Sequence, residues 1–163
     1  MCRDLAARVQ GLAMAHHLLS AAEWSPVKLG DLATEVIHSM LHILPPDQCV
    51  SVQVSPSSIH VTPDQANTLA LVISELATNT IKHGEREEQV FSISVRIEEN
   101  NDQILFEYRD NGQGYPESIH EEDRYKVGLH LITNLVRREL RGEVTFLNDH
   151  GAVTRIQFGD RRS

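Results

Sequence analysis

The stretch ELATNTIKHG, residues 75–84, ends a long helix that the sequence predicts from Thr62-Pro63-Asp64 to about His83. Proline suits the first turn of a helix, where its missing N–H is not needed. Apolar residues then recur every three or four positions, so they share one face that should pack on a sheet. That face consists of Leu69, Val72, Ile73, Leu76, Ala77 and Thr80.

Polar residues follow the border of this face: Glu75, Asn79 and Lys82 or His83 are three or four positions apart and form one stripe. A carboxylate, an amide oxygen, an amine and an imidazole could hold a hydrated metal ion and a polyphosphate. Mg²⁺ keeps several of its waters, so one Asn79 oxygen plus phosphate oxygens would suffice. The alternative is a solvated helix end capped by Gly84, and the stripe alone favours it.

A second cluster, RDNGQGYPE at residues 109–117, directly follows a predicted strand, Ile104 to Tyr108. The Asp110 carboxylate could accept a hydrogen bond, for example from the exocyclic amine of a purine. Gly112 and Gly114 would let the backbone approach a ligand closely. A plain Asp-Asn-Gly turn is the alternative, and by itself it is the better interpretation.

A third cluster, KVGLHLI at residues 126–132, places Gly128 at the start of a helix predicted from Val127 to Leu140. Backbone N–H groups at such a start, with the positive end of the helix dipole, would bind phosphate. The stretch from Asp110 to Lys126 is predicted as a loop, and its acidic part, Pro116 to Arg124, could be a mobile lid or a long connection. A lone glycine is weak evidence for a phosphate site.

Elsewhere the pattern predicts two helices and three hairpins, which indicate an α+β, two-layer α/β sandwich with helices on one face of the sheet. The helices run from Arg3 to about Ala22 and from Leu29 to about Ile37. The hairpins join Cys49–Val54 to Ile59–Val61, Val90–Ile97 to Gln103–Arg109, and Glu143–Leu147 to Val153–Phe158.

Composition excludes several classes of protein. The net charge of −8 disfavours nucleic acid as a partner, because phosphate-backbone binding needs clustered basic residues. No apolar run approaches the roughly 20 residues that a membrane span needs, so no membrane contact is expected. Cys2 and Cys49 are far apart and lack metal-ligand spacing, which predicts neither a disulfide framework nor a zinc site. A reducing cytoplasm is the expected location.

The order of the three clusters resembles the Bergerat-fold ATPases of the gyrase, Hsp90, histidine kinase and MutL group. ELATNTIKHG is similar to their N box, DNGQG to the G1 box and VGLHL to the G2 box. The resemblance implies ATP and Mg²⁺ as cofactors and a mixed, largely antiparallel sheet. It also implies these roles: Asn79 coordinates Mg²⁺, Lys82 and His83 lie near the phosphates, Asp110 binds the adenine amino group, and Gly112, Gly114, Gly128 and Leu129 shape the pocket.

Residues 8–32, RVQGLAMAHHLLSAAEWSPVKLGDL, resemble the end of the second dimerisation helix in histidine kinases of the HWE and HisKA_2 types. Residues 1–25 would then belong to the helical dimerisation region and residues 26–163 to the ATP-binding catalytic domain. The resemblance implies a homodimeric parent and a response regulator receiver domain as partner. The phosphorylated histidine would lie outside this sequence, since His16 and His17 align with the second helix.

The implied activity is that of a protein-histidine kinase, with Glu75 and Asn79 as catalytic residues. In ATP-hydrolysing relatives the carboxylate equivalent to Glu75 orients water, whereas in a kinase it would bind a metal-coordinated water. Two rivals stay open. One is a serine kinase of the anti-sigma type, and the other is a degenerate phosphotransfer or scaffold module, which the missing Gly-x-Gly-x-Gly pattern around Lys126 and Val127 favours.

Overall fold

The computed structural model describes residues 2–42, 50–83, 91–116 and 123–160. Four helices and seven strands make up these parts of the chain. In chain order they are α1 (Cys2–Ala21), β1 (Val27–Lys28), α2 (Leu29–Leu41), β2 (Val50–Val54), β3 (His60–Val61), α3 (Pro63–His83), β4 (Phe91–Asn100), β5 (Gln103–Asp110), α4 (Asp123–Arg138), β6 (Glu143–Asn148) and β7 (Ala152–Gly159).

Five strands form one mixed sheet in the order β2-β4-β5-β7-β6. All neighbours are antiparallel except β2 and β4, so the expectation of a largely antiparallel sheet is confirmed. The β4–β5 and β6–β7 hairpins are also confirmed. Asn101 and Asp102, between β4 and β5, both have positive φ, as a two-residue type I′ turn requires.

The predicted hairpin between residues 49–54 and 59–61 is wrong. β2 instead pairs parallel with β4, from Val50 opposite Phe91 to Val54 opposite Val95. β3 pairs with β1, Val61 lying opposite Val27. The alternation of apolar and polar residues correctly indicated that both segments are extended. β2 pairs with β4 because β4 is long enough to pair with all five residues of β2, whereas β3 has only two residues. Cys49 lies outside the described residues.

The helices lie on one face of the sheet, which confirms the two-layer sandwich. The long helix α3 ends at the predicted residue, and its predicted apolar face is buried. Leu69, Val72, Ile73 and Leu76 of that face share one core with sheet residues such as Ile93, Phe106 and Ile156, and Ala77 lies in a smaller cluster with Met40. Helix α2 buries every third or fourth residue against the same core, as its sequence period requires. These residues are Leu29, Leu32, Ala33, Val36 and Ile37.

Helix α1 packs along α2 and α3, so it adds to the helical layer. Ala15 and Leu19 are fully buried, and Gln10 Nε2 donates to Ser39 Oγ at 2.8 Å. Other apolar residues of α1 are exposed, namely Leu5, Val9 and Leu12. The predicted amphipathic helix is therefore present, but only part of its apolar pattern faces this domain.

Helix α4 begins at Asp123, earlier than predicted, so the loop predicted to reach Lys126 is shorter. No glycine or proline interrupts residues 123–127, so nothing in the sequence prevents the helix from starting there. Gly128 consequently lies in the second turn of α4, and the prediction that it opens the helix is wrong. None of the helices in the described ranges is long and apolar enough to span a bilayer.

The other face of the sheet carries a cluster of charges centred on Glu107, which is 3% exposed. Arg109 Nε donates to Glu107 Oε1 at 2.8 Å, and Arg155 Nε donates to Glu107 Oε2 at 2.7 Å. Arg96 lies directly opposite Glu107 in the sheet. Burial raises the pKa of Glu107, but the hydrogen bonds from Arg109 and Arg155 outweigh it and hold the pKa below its usual range.

We expect Glu107→Gln to lower the free energy of unfolding at pH 7 by about 1–3 kcal/mol, because two charge-assisted hydrogen bonds are lost. A carboxyl with a lowered folded-state pKa stabilises the fold above its unfolded-state pKa of about 4.3. That contribution disappears as the pH falls through the folded-state pKa. Denaturant titrations from pH 7 to pH 3 should show a smaller acid-dependent loss for Glu107→Gln than for the wild type.

Glu98→Gln is the matched control, because Glu98 is an exposed residue of the neighbouring strand β4 that also contacts Arg96. Exposed ion pairs contribute little, so its stability should change by less than about 0.5 kcal/mol. Equal losses in the two variants at pH 7 would show that the buried hydrogen bonds of Glu107 carry no special weight.

Candidate functional site

Glu75 and Asn79 lie one helical turn apart on α3 and both face α4 at Gly128. A Cβ atom placed on Gly128 would lie 3.5 Å from Glu75 Oε2 and 3.7 Å from Asn79 Oδ1. The two predicted polar residues of the first cluster thus meet the glycine of the third cluster. A larger side chain at residue 128 would fill the space that their oxygens face.

Asn79 has an unused hydrogen-bonding group. Its Nδ2 atom is buried and, of the buried side-chain nitrogens and oxygens in the described residues, it is the one that lacks a hydrogen-bond partner. Leaving a buried donor unpaired costs about 1–3 kcal/mol, so such a group points to a ligand. The amide oxygen of Asn79 and the Glu75 carboxylate are also the hard oxygen donors that Mg²⁺ prefers. The residues therefore fit a hydrated Mg²⁺ carried by a polyanion.

The described residues contain no group of three or more His, Cys, Asp or Glu side chains that could bind a metal by themselves. A metal at Asn79 could take its remaining oxygen ligands from another molecule. This arrangement suits Mg²⁺, which is usually bound by one or two protein oxygens together with substrate phosphates and water.

Asp110 ends strand β5, and its carboxylate is held by three donors. Thr80 Oγ1 donates to Oδ2 at 2.8 Å, while the backbone N–H groups of Gly112 and Ala152 donate to Oδ1 at 3.0 and 3.1 Å. Each carboxylate oxygen can accept about two hydrogen bonds, so capacity for a further donor is left. Asp110 therefore presents a fixed acceptor at the border between the sheet and α3.

A chain of two hydrogen bonds, from Tyr108 to Thr80 and from Thr80 to Asp110, orients this carboxylate. The Tyr108 hydroxyl lies 2.8 Å from Thr80 Oγ1, and burial raises the pKa of Tyr108 well above its usual range. Because the carboxylate of Asp110 can only accept, Thr80 donates to Asp110 and Tyr108 donates to Thr80. The chain links the core of the sheet, through α3, to the second predicted cluster.

The bend after Asp110 is fastened to the end of β6 by Asn148. Asn148 Oδ1 accepts from the N–H of Tyr115 at 2.7 Å, and Asn148 Nδ2 donates to the Tyr115 carbonyl at 2.8 Å. Gly114 has φ +82°, and a Cβ there would lie 2.7 Å from Asn148 Oδ1. Only glycine fits this bend without displacing Asn148.

Gly151 brings the last hairpin against the same bend. Its φ is +144°, and a Cβ on it would collide with the carbonyl oxygen of Asp110. This close approach is what allows the N–H of Ala152 to reach the Asp110 carboxylate. Two hairpins that are distant in sequence therefore converge on one aspartate.

One contact reaches the site from outside the predicted clusters. Arg8 Nε on α1 donates to Glu75 Oε1 at 2.5 Å, and the Glu75 side chain is 9% exposed. The remaining oxygen, Oε2, is the one nearest Gly128. Glu75 is thus held between the first helix and α4.

Comparison with known proteins agrees with this geometry. The model of the histidine kinase-like ATPase domain family matches residues 49–158, which is more than half of the chain. The chain belongs to the histidine kinase-like ATPase domain family. The part matched contains all three clusters. It does not contain α1.

Relatives of this ATPase domain include the sensor histidine kinase PdtaS of Mycolicibacterium smegmatis, 24% identical over 138 residues. That alignment covers 84% of this chain but only 28% of PdtaS. Among solved structures, the histidine kinase domain of the blue-light activated kinase EL346 from Erythrobacter litoralis has a TM-score of 0.78 at 20% identity. It covers 96% of this chain and 74% of that one.

The ATP-binding domain of PrrB from Mycobacterium tuberculosis is more distant in shape, with a TM-score of 0.62 at 24% identity, covering 83% of this chain and 96% of that one. The larger coverage by EL346 extends beyond the family match. These likenesses establish the fold of the ATPase domain.

The remaining predicted residues of the ATPase domain are placed as follows. Lys82 is exposed near the end of α3, and His83 is its last residue, whose side chain lies outside the described part of the chain. Leu129 packs against the core beside Gly128. Gly84, the expected cap, is not among the described residues.

Sequence reasoning missed four residues that shape the site: Arg8, Tyr108, Thr80 in its polar role, and Asn148. Tyr108 could have been found, because it precedes Asp110 by two on a strand and must share its face. Nothing in the local spacing indicates Asn148 or Arg8, because each belongs to an element far away in sequence.

We expect Thr80→Val to lower the free energy of unfolding by about 1–3 kcal/mol, because it leaves the buried Tyr108 hydroxyl without its acceptor and removes a donor to Asp110. Urea titration measures the change. Thr78→Val is the control: the Thr78 hydroxyl donates only to the Ser74 carbonyl of its own helix, at 2.7 Å. A loss in Thr78→Val as large as that in Thr80→Val would contradict the importance of the chain.

Proposed function

We propose that this chain binds Mg-ATP and donates the γ-phosphate to a histidine that lies outside the sequence given. The observation that carries the proposal is that two neighbouring residues of α3, Asn79 and Thr80, connect the first predicted cluster to the second. Asn79, with its unpartnered amide, is the neighbour of Thr80, which itself holds Asp110 at 2.8 Å. A nucleotide lying along this side of α3 would contact Asp110 with its base and Asn79 with its phosphates.

Asp110 is assigned to the adenine. A rigid carboxylate that still has acceptor capacity suits an exocyclic amine, which is a donor, and rejects a carbonyl in the same place. The three protein donors keep its orientation constant whether or not a ligand is bound. Gly112, Gly114 and the Gly151 turn keep the backbone close around it, so a flat base could lie against the bend.

Asn79 is assigned to the phosphates and Mg²⁺, and Lys82 and His83 to the charge of the phosphate tail. A bound Mg²⁺ would supply charge neutralisation to the phosphate oxygens. Gly128 provides room beside Asn79 rather than the helix-opening anion site that its sequence position suggested. Leu129 completes the wall of the pocket by packing beside it.

Phosphoryl transfer asks little covalent chemistry of the protein, so positioning and charge account for most of the catalysis. Glu75 contributes as a catalytic residue at the phosphate end, where its Oε2 atom lies beside Gly128. The histidine nucleophile would come from a dimerisation helix in the parent protein.

The assignment to a two-component sensor kinase of the HWE or HisKA_2 type rests on residues 8–32, with residues 1–25 as part of the dimerisation region. The exposed stripe Leu5, Val9 and Leu12 on α1 has the alternating four- and three-residue spacing of a helix-packing seam, which supports a homodimeric parent. A response regulator receiver domain is the proposed acceptor of the phosphate. A cytoplasmic location accords with the use of ATP.

We expect Asn79→Asp to weaken Mg-ATP binding at least tenfold, about 1.4 kcal/mol, since it replaces the Nδ2 donor and adds a negative charge beside the phosphates. Isothermal titration calorimetry measures the affinity. Asn67→Asp makes the same chemical change earlier on the same helix and should leave the affinity within about twofold. Unchanged affinity in Asn79→Asp would sink the assignment.

The nature of the phosphorylated residue separates the histidine kinase from the serine kinase. We expect radiolabel transferred from γ-labelled ATP in the full-length parent to be lost in acid and retained in base, because phosphohistidine is acid-labile. Acid-stable, base-labile label would indicate phosphoserine instead, while Mg-ATP binding without any label would favour the degenerate module.

A further inference from the structure

Arg8 contacts the proposed site at Glu75, but the proposed function gives this arginine no role. It lies on α1, outside the region that the ATPase family matches, yet its Nε atom donates to Glu75 Oε1 at 2.5 Å. The Glu75 side chain is 9% exposed and that of Arg8 34%, so the pair sits at the edge of the buried site.

We propose that Arg8 is a positioning residue that holds Glu75 in an orientation unsuited to activating water, and so suppresses hydrolysis of ATP. This inference rests on the proposed function, because it concerns the fate of the same γ-phosphate. On this proposal, the position of α1 relative to α3 affects whether the γ-phosphate is transferred to histidine or hydrolysed.

The geometry of the carboxylate supports this role. A general base must lie within hydrogen-bond reach of the proton that it removes. Oε1 is occupied by the guanidinium of Arg8, and Oε2 points to the contact between α3 and α4 at Gly128. Taking a proton would also weaken the charge-assisted bond to Arg8, which is among the stronger hydrogen bonds in proteins.

The step that Arg8 restrains is ordinary hydrolysis. The oxygen of a water molecule forms a bond to the γ-phosphorus, the bond from that phosphorus to the bridging oxygen of the β-phosphate breaks, and ADP and inorganic phosphate result. The water gives one proton to the Glu75 carboxylate. The charge-assisted bond from Arg8 to Oε1 makes the whole Glu75 carboxylate a poorer acceptor for that proton, without touching the nucleotide.

The contact depends on how α1 is seated. Directly beside Arg8, a Cβ on Gly11 would collide with Ser74 Oγ, so the two helices approach very closely there. Gln10 anchors the same turn to Ser39 of α2 through hydrogen bonds of 2.8 and 3.1 Å. A small displacement of α1 would therefore withdraw Arg8 from Glu75.

The test compares Arg8→Ala with the wild type in the 163-residue chain. Phosphate release at saturating Mg-ATP reports hydrolysis, and calorimetry reports Mg-ATP affinity. We expect hydrolysis by Arg8→Ala to rise about tenfold, a modest part of the ~10²–10⁴-fold that a general base contributes, with affinity within about twofold. Arg8→Lys, which keeps the charge, should give a smaller rise.

Two further variants separate positioning from packing. Gln10→Ala removes the two hydrogen bonds to Ser39, but the close packing of Gly11 on Ser74 still holds α1 against α3, so hydrolysis should stay at the wild-type rate even if the fold is less stable. Gly11→Val pushes α1 from α3 with Arg8 intact and should reproduce the rise seen in Arg8→Ala.

Unchanged or lower hydrolysis in Arg8→Ala, with Mg-ATP still bound, overturns the role of Arg8 and leaves the proposed function standing. A rise in Gly11→Val without one in Arg8→Ala also overturns it, because the helix and not the guanidinium would then matter. Failure of the wild-type chain to bind Mg-ATP overturns both the inference and the proposed function.

Discussion

The hydrogen bond from Thr80 to Asp110 joins the helical layer to the sheet at the place where the site forms. Helix α3 could pack on the sheet through apolar contacts alone, but such contacts do not fix its rotation to within a side chain. The buried hydroxyl of Thr80 fixes the rotation of the helix, because it must donate to the carboxylate of Asp110. With Thr80 placed, Asn79 is directed to the neighbouring side of the helix, toward α4, and the polar stripe takes up a defined position.

Asp110 also holds the remaining hairpin. Its carboxylate accepts from Gly112 in its own bend and from Ala152 in the turn before β7, so three separate segments depend on one charge. The contrast with Glu107 is informative. Glu107 lies on the opposite face of the same strand, and its carboxylate is bound by arginines, which neutralise it, whereas Asp110 is held by neutral donors.

The sequence predicted the elements better than their partners. Periodicity identified α3 to its last residue and two hairpins, because both depend on residues that are close in the chain. It failed for β2, since the choice between β3 and β4 as partner depends on which free edge is longer in the assembled sheet. It also misplaced the start of α4 and with it the helix-opening site at Gly128. Motif order predicted that Asn79 and Asp110 share a site, and in the structure Thr80, the residue after Asn79, donates to Asp110. Tyr108, Asn148 and Arg8 make contacts with residues far away in sequence, which no local pattern records.

Arg8 shows why a family description and a working site need not share their boundaries. The matched region contains Glu75, yet one of the two oxygens of that carboxylate is occupied by a residue of the preceding helix. A charge held in this way has different chemistry from the same charge facing solvent, because its proton-accepting oxygen is already engaged. Where α1 moves as a unit, Glu75 changes its surroundings without any change within the ATPase domain. On the proposed function, a movement of the helix would thus be felt at the phosphate end of the site through the ion pair of Arg8 and Glu75.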